Sequence, residues 1–172
     1  SLAAYAFAKL RFRGRDRLFL VYLMTMLMPF QVTLVPNYLM LDTLGLLNKA
    51  EAVILPAVFG TFGVFMLRQF LAHIPYAYME AARIDGAGHA TIFLRIVLPL
   101  AKPGLAALAV LLFVDYWNMV EQPLVFLREA SEQPLSLYLA YINEQARGVG
   151  FAASIVYMTP MVLLFLYAEP YF

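Results

Sequence analysis

Two histidines, His73 and His89, are the first residues in this chain whose type could serve metal or acid–base chemistry. Neither is followed by Glu, so the HExxH pattern that places two zinc ligands and a base on one helix face is absent. Their separation matches no compact metal motif, and both are expected at an interface. There is no Cys, which excludes a disulfide, a thiolate nucleophile and a cysteine metal site. No Gly is followed by Lys, so the phosphate-cradling G-x4-G-K-[ST] loop cannot form. No metal or cofactor is expected on this chain, and ATP, if used, is bound by a partner. Asp115 is the one acid inside an apolar stretch, and an ionisable group at membrane depth points to a polar translocation path. A position near the outer interface explains it equally, because Tyr116, Trp117 and Asn118 follow at once and Trp and Tyr favour that level. Trp117 and Asn118 offer an aromatic face and an amide to a sugar; an aromatic belt explains Trp117 as well. Without Cys, with two His and with no paired acids in the apolar stretches, an intramembrane enzyme is disfavoured.

The elements that must position these residues are membrane helices. The chain has 172 residues, 63% hydrophobic and 13% charged, with mean hydropathy +0.76. Soluble domains carry about 25% charge, so a water-soluble globule and a disordered chain are both excluded. A net charge of +1 offers no footprint for nucleic acid. Stretches near the ~20 residues a span requires occur at Leu18–Leu41, Ala52–Leu67, Pro103–Val120 and Val149–Ala168. Ser1–Ala8 reads as the last turns of a further span. The expectation is an all-α, polytopic transmembrane protein with four complete spans and part of a fifth. It forms a single membrane domain over residues 1–172 that belongs to a longer chain. Lys9, Arg11, Arg13, Arg15, Arg17, Arg68, Arg83, Arg95 and Lys102 gather on one side, against Lys49, Arg128 and Arg147 on the other. By the positive-inside rule, Lys9–Arg17 and Ala72–Lys102 are cytoplasmic, while Asp42–Glu51 and Glu121–Gly148 face out. The outer loop holds Glu121, Glu129, Glu132 and Glu144. Contact with a solute-binding protein and simple solvation explain it equally. Pro29, Pro36, Pro56 and Pro160 fall inside spans and tend to kink them, and Gly60 and Gly63 allow close helix approach.

One cytoplasmic segment, HIPYAYMEAARIDGAGHATIFLRIVLPLAKPG, is too long for a simple turn. Pro75 suits the first helical position, and Tyr76–Ile84 is helix-permissive. Gly86 and Gly88 break the chain, with Asp85 a plausible cap for the next helix. That second helix is expected from about His89 to Leu98, with Ile92, Ile96 and Pro99 facing one way and Arg95 another. Ala81 and Ala82 let the first helix sit deep in a groove, and Glu80 adds an anionic acceptor. A mechanical coupler and an amphipathic linker resting on lipid headgroups both fit.

Glu80-Ala81-Ala82, Asp85-Gly86-Ala87, Ile96, Leu98-Pro99 and Pro103 resemble the EAA loop of binding-protein-dependent ABC transporter permeases. The Asp-Gly-Ala form is similar to the carbohydrate branch, in particular the second permease subunit of maltose-type importers. Phe12-Arg13-Gly14-Arg15, Pro29-Phe30-Gln31, Leu67-Arg68-Gln69-Phe70 and Trp117-Asn118 also look like that branch. The resemblance implies that Glu80, Ala81, Ala82, Asp85, Gly86 and Ala87 form a coupling helix and turn docking on a separate ATPase. Ile96, Leu98, Pro99 and Pro103 would pack the loop, and Asp115, Trp117 and Asn118 remain candidates for the translocation path. It further implies an ATPase dimer carrying ATP and Mg, a second permease subunit, an extracytoplasmic solute-binding protein, and residence in the bacterial inner membrane. A secondary transporter or channel driven by an ion gradient is the competing class. Such proteins usually carry several charged residues at mid-membrane, and here only Asp115 qualifies.

Overall fold

The structure, a computed structural model, describes residues 1–141 and 147–169, all of it helix, turn or irregular chain. Glu144 and the last residues Tyr171 and Phe172 lie outside the described residues. The helices are α1 (Leu2–Lys9), α2 (Arg15–Met26), α3 (Phe30–Thr43), α4 (Glu51–Val58), α5 (Thr61–Ala72) and α6 (Ala77–Ile84). They continue with α7 (His89–Ile92), a π turn (Phe93–Val97), α8 (Leu98–Leu100), α9 (Lys102–Trp117), α10 (Glu121–Phe126), α11 (Leu135–Ala140) and α12 (Arg147–Ala168). Two compact units emerge, one of residues 1–27 and 61–109, the other of residues 28–60 and 110–169.

In the first unit α1 and α2 pack against α5. Phe7 is buried against Phe19 and Tyr22, with ring centroids 5.2 and 5.9 Å away, and Tyr5 meets Phe93 at 5.1 Å. The Arg68 guanidinium lies 4.0 Å from the centre of the Phe19 ring. There its charge is held by the aromatic face. A close approach also occurs at a glycine the sequence does not single out. A Cβ on Gly104 would sit 2.5 Å from Cγ of Phe70, so the ring occupies the space that only glycine leaves open.

In the second unit Leu41, Ala52 and Phe126 form a small core, covered by Leu34, Tyr38, Leu46, Leu47 and Val125. Asn48 adopts a positive φ of 58°, a conformation Asn tolerates better than most residues. Its amide donates to the Phe126 carbonyl at 3.0 Å, and its Oδ1 accepts from the Arg128 amide at 2.8 Å. The Arg128 guanidinium in turn donates to the Tyr38 hydroxyl.

Several expected spans are interrupted. Leu18–Leu41 is two helices, because the chain leaves the helix at Leu27 and Pro29 is extended, with φ −59° and ψ 138°. Proline disfavours helix in the residue before it, which fixes the break at Met28. Pro36 lies inside α3 and Pro160 inside α12, and neither ends its helix. Ala52–Leu67 falls on α4 and α5, which meet at Phe59–Gly60. Glu51–Ala72 and Gly148–Ala168 are each long and apolar enough to cross a membrane, and two further spans arise if each interrupted pair counts as one. The structure therefore supports two to four spans, where the sequence suggested four plus a part. Almost none of either long stretch is buried within the chain; these surfaces suit lipid or neighbouring membrane helices.

Candidate functional site

Helix α6 buries Met79 and Ala82, three residues apart and so on one face. The opposite stripe, Ala77, Glu80, Ala81 and Ile84, is exposed; Ile84 is 87% exposed. An isoleucine so far in the open beside two alanines is a flat apolar strip with one carboxylate at its edge. The helix ends in a glycine-dependent cap. Gly86 has φ +82°, its amide bonds the Arg83 carbonyl at 3.0 Å, and the Ala87 amide bonds the Ala82 carbonyl at 2.9 Å. This crossed pair is the Schellman arrangement, which satisfies the last carbonyls and calls for a left-handed residue at the position of Gly86. The structure thus brings Glu80, Ala81, Ala82, Asp85, Gly86 and Ala87 together in one helix-and-turn.

Two sequence expectations are corrected at its ends. Pro75 stands two residues before the first helical residue, not at it, because Tyr76 provides the first helical carbonyl. Asp85 terminates α6 and does not cap α7; Gly88 holds that place without a side-chain bond.

The approach to α6 is secured by residues that the sequence assigns only to topology. Lys9 is 5% exposed, and its Nζ donates to the carbonyls of Ile74 at 2.6 Å and Ala72 at 3.4 Å. The Ala72 carbonyl is the last of α5 and the Ile74 carbonyl lies in the turn just after it, so the cation sits where the helix leaves acceptors free and its dipole is negative. Burial pushes the Lys9 ammonium below the usual lysine range. Arg11 and Arg83 both place their guanidinium near the Tyr76 ring, at 5.5 and 5.6 Å from its centre. Arg83 also donates to the Tyr76 hydroxyl at 3.3 Å. Leu10, Arg11, Phe12, Tyr76, Glu80, Arg83 and His89 line an open groove of about 510 Å³ beside α6. A basic residue just after an apolar helix was the one signal for Lys9 in the sequence; its partners more than sixty residues away were not visible.

The second expected helix continues past Leu98 to Leu100, widened into a π turn at Phe93–Val97. The wide turn lies just ahead of Pro99, which lacks an N–H and would strike the carbonyl four residues back in a regular α-helix. Its buried face is Ile92, Phe93 and Val97; Ile96 and Leu98 are half-buried, and Pro99 and Pro103 are exposed. The sequence reading of Ile92, Ile96 and Pro99 as one face is displaced by that turn. Among the described residues no three His, Asp or Glu gather to hold a metal.

Asp115, Trp117 and Asn118 lie together in the second unit, on and just after the last turn of α9. Trp117 stacks between Phe113 and Tyr157, at 5.2 and 5.5 Å, and its Nε1 donates to the Tyr157 carbonyl at 3.1 Å. Tyr157 returns a bond to the Trp117 carbonyl at 2.6 Å and one to Asn118 Oδ1 at 3.1 Å. Asp115 and Asn118 line a cavity of about 490 Å³ that Trp117 does not reach. Glu121 in its wall accepts from Gln31 Nε2 at 3.2 Å.

Residues 1–169 match the family described as binding-protein-dependent transport system inner membrane component. The chain is 37% identical over its whole length to the arabinooligosaccharides transport system permease protein AraQ of Halalkalibacterium halodurans, covering 63% of that protein. It is 38% identical over 76% of its length to the sn-glycerol-3-phosphate transport system permease protein UgpE of Yersinia pestis, covering 46% of that protein. A solved bacterial ABC transporter involved in import of the acidic polysaccharide alginate contains a chain that matches 98% of this one, with TM-score 0.85 and 28% identity; 66% of that chain is covered. The chain spans about half to two thirds the length of these relatives. It belongs to the family of binding-protein-dependent transport system inner membrane components.

Proposed function

We propose that this chain is the membrane-spanning portion of a permease subunit in an ATP-driven saccharide importer, and that α6 couples it to a separate ATPase. The observation that carries the reading is the exposed strip Ala77–Ala81–Ile84 with Glu80 at its edge. It is presented on a helix whose other face is buried and whose end is fixed by Gly86. Small side chains permit close approach of a cleft, and a lone carboxylate selects a basic partner. Family membership supports the reading as a transport permease, and a relative named for transport of arabinooligosaccharides supports a saccharide as the solute.

In this reading ATP and Mg²⁺ sit on an ATPase pair beneath the inner membrane. A second permease subunit completes the pathway, and an extracytoplasmic binding protein delivers the solute. Closure of the ATPase pair pulls α6. Because Lys9 joins the end of α1 to the carbonyls preceding α6, the pull reaches the membrane helices through buried bonds. Ile96, Leu98, Pro99 and Pro103 belong to the next helices in the chain and transmit the same motion. Asp115 and Asn118 face the solute, and Trp117 stiffens the wall behind them. The chain itself makes and breaks no covalent bond. The test uses the full-length subunit in its complete importer, with Ala81→Trp and Gly86→Pro introduced separately. Loss of uptake with loss of ATPase recruitment is expected, and undiminished uptake with both changes overturns the proposal.

A further inference from the structure

The chain between α1 and α2 and the first turn of α2 carry Arg11, Arg13, Arg15 and Arg17 against one acid, Asp16. Asp16 is already answered, because Arg15 Nε donates to its Oδ1 at 2.9 Å. Arg15 also reaches the Leu10 carbonyl at 3.5 Å, and Arg11 rests on the Tyr76 ring. Arg13 and Arg17 are exposed and make no ion pair among the described residues, where Arg15–Asp16 is the one pair present. Arg11, Arg15 and Arg17 share an open cavity of about 460 Å³ with Phe12, Gly14 and Asp16. The first unit as a whole holds nine Lys and Arg against Asp16, Glu80 and Asp85. Its positive charge is left for an anion from outside the chain.

Two apolar features beside these cations say what carries the anion. Phe12 stands between Arg11 and Arg13, exposed on one side, and its ring folds back to 6.3 Å from the buried Phe7 ring. It extends the aromatic contact of Phe7 with Phe19 to the surface, among the guanidinium groups. Arg17, Val21 and Met24 lie at i, i+4 and i+7 on α2 and form one exposed face. In a membrane such a face lies at hydrocarbon depth, and the arginine at its end reaches the headgroup level. A free phosphate or an acidic protein surface would take up the charges alone. A phospholipid matches both features, with its phosphate on the arginines and its acyl chain along Val21 and Met24. We propose that the α1–α2 turn binds an anionic phospholipid headgroup through Arg11, Arg13 and Arg17, with Phe12 inserted beside it. The inference goes beyond the coupling role of α6 and does not depend on it.

The test uses the complete importer in nanodiscs of mixed phosphatidylcholine and phosphatidylglycerol. Native mass spectrometry after release into detergent counts the lipids each complex retains. Selective retention of phosphatidylglycerol is expected, and it should persist when inorganic phosphate is added. Arg13→Gln and Arg17→Gln should each lower that preference about fivefold. Arg95→Gln removes an equal charge from an exposed position of the same unit and should leave the preference unchanged. No preference for phosphatidylglycerol, binding of inorganic phosphate in its place, or an equal loss with Arg95→Gln overturns the inference. Lipid retention unchanged by Arg13→Gln and Arg17→Gln while ATPase co-purification falls also overturns it, and makes the turn a protein contact. Each of these failures leaves the coupling role of α6 standing, because that role is read by ATPase recruitment through Ala81 and Gly86.

Discussion

Gly86 is the position at which a small change should be most informative. Its φ is +82°, and a Cβ built there meets nothing within 4 Å. The cost of a substitution is therefore confined to the backbone. Alanine in the left-handed region costs about 1–2 kcal/mol, and Asn, which tolerates that region, costs less. Proline is different in kind. Its ring holds φ near −65°, and it removes the amide that bonds the Arg83 carbonyl at 3.0 Å. The second bond of the cap, from Ala87 to Ala82, would open with it, so a total of about 3 kcal/mol or more is expected. Amide hydrogen exchange on the full-length protein reads this directly. Protection at Ala87 should fall about fivefold to thirtyfold with Gly86→Ala and more than a hundredfold with Gly86→Pro. ATPase recruitment and uptake should fall in the order Asn, Ala, Pro. Wild-type recruitment by Gly86→Pro would refute the reasoning, as would an Asn variant as damaged as the Pro variant.

Ala81 and Ala82 should behave oppositely. Ala81→Trp, on the exposed strip, should leave thermal stability unchanged while abolishing ATPase co-purification; Ala82→Leu, on the buried face, should lower stability by about 1–3 kcal/mol through overpacking. Gly104→Ala forces the Phe70 ring aside and should cost about 1–3 kcal/mol. Phe70→Leu should recover part of that loss in a double-mutant cycle read by thermal unfolding, and strict additivity would show that the two residues do not meet. Lys9→Ala leaves the Ile74 and Ala72 carbonyls without their donor. A loss of about 1–3 kcal/mol in detergent or nanodisc melts is expected, with Lys9→Arg intermediate.

Local chemistry was legible in the sequence where it is also decisive in the structure. The apolar stretches read as helix, and the helix reading of Tyr76–Ile84 differs from α6 by one residue. A glycine after a short helix predicted a break, and the structure supplies the reason in the left-handed cap. Features that depend on distant partners were not legible. Lys9 looks like any basic residue beside a span until Ile74 is placed next to it. Gly104 gives no sign that Phe70, from a helix far back along the chain, will press its ring against it. The π turn depends on how Pro99 is accommodated once the helix has begun, a choice that propensity does not encode. Asp115 and Asn118 were visible as polar residues in an apolar stretch, whereas Glu121 and Gln122 read as ordinary loop residues until the cavity placed them in its wall.

The coupling role of α6 stands or falls on its exposed strip touching a nucleotide-hydrolysing partner. The 172 residues contain no Cys, so Ala81→Cys introduces a unique thiol among them, which can carry a short cross-linker in the complete importer. The expected result is an adduct with the ATPase subunit whose yield changes when ATP is bound, and no labelling by an impermeant thiol reagent applied to intact cells. Labelling from outside, or adducts with lipid or other proteins but with no ATPase, would contradict it.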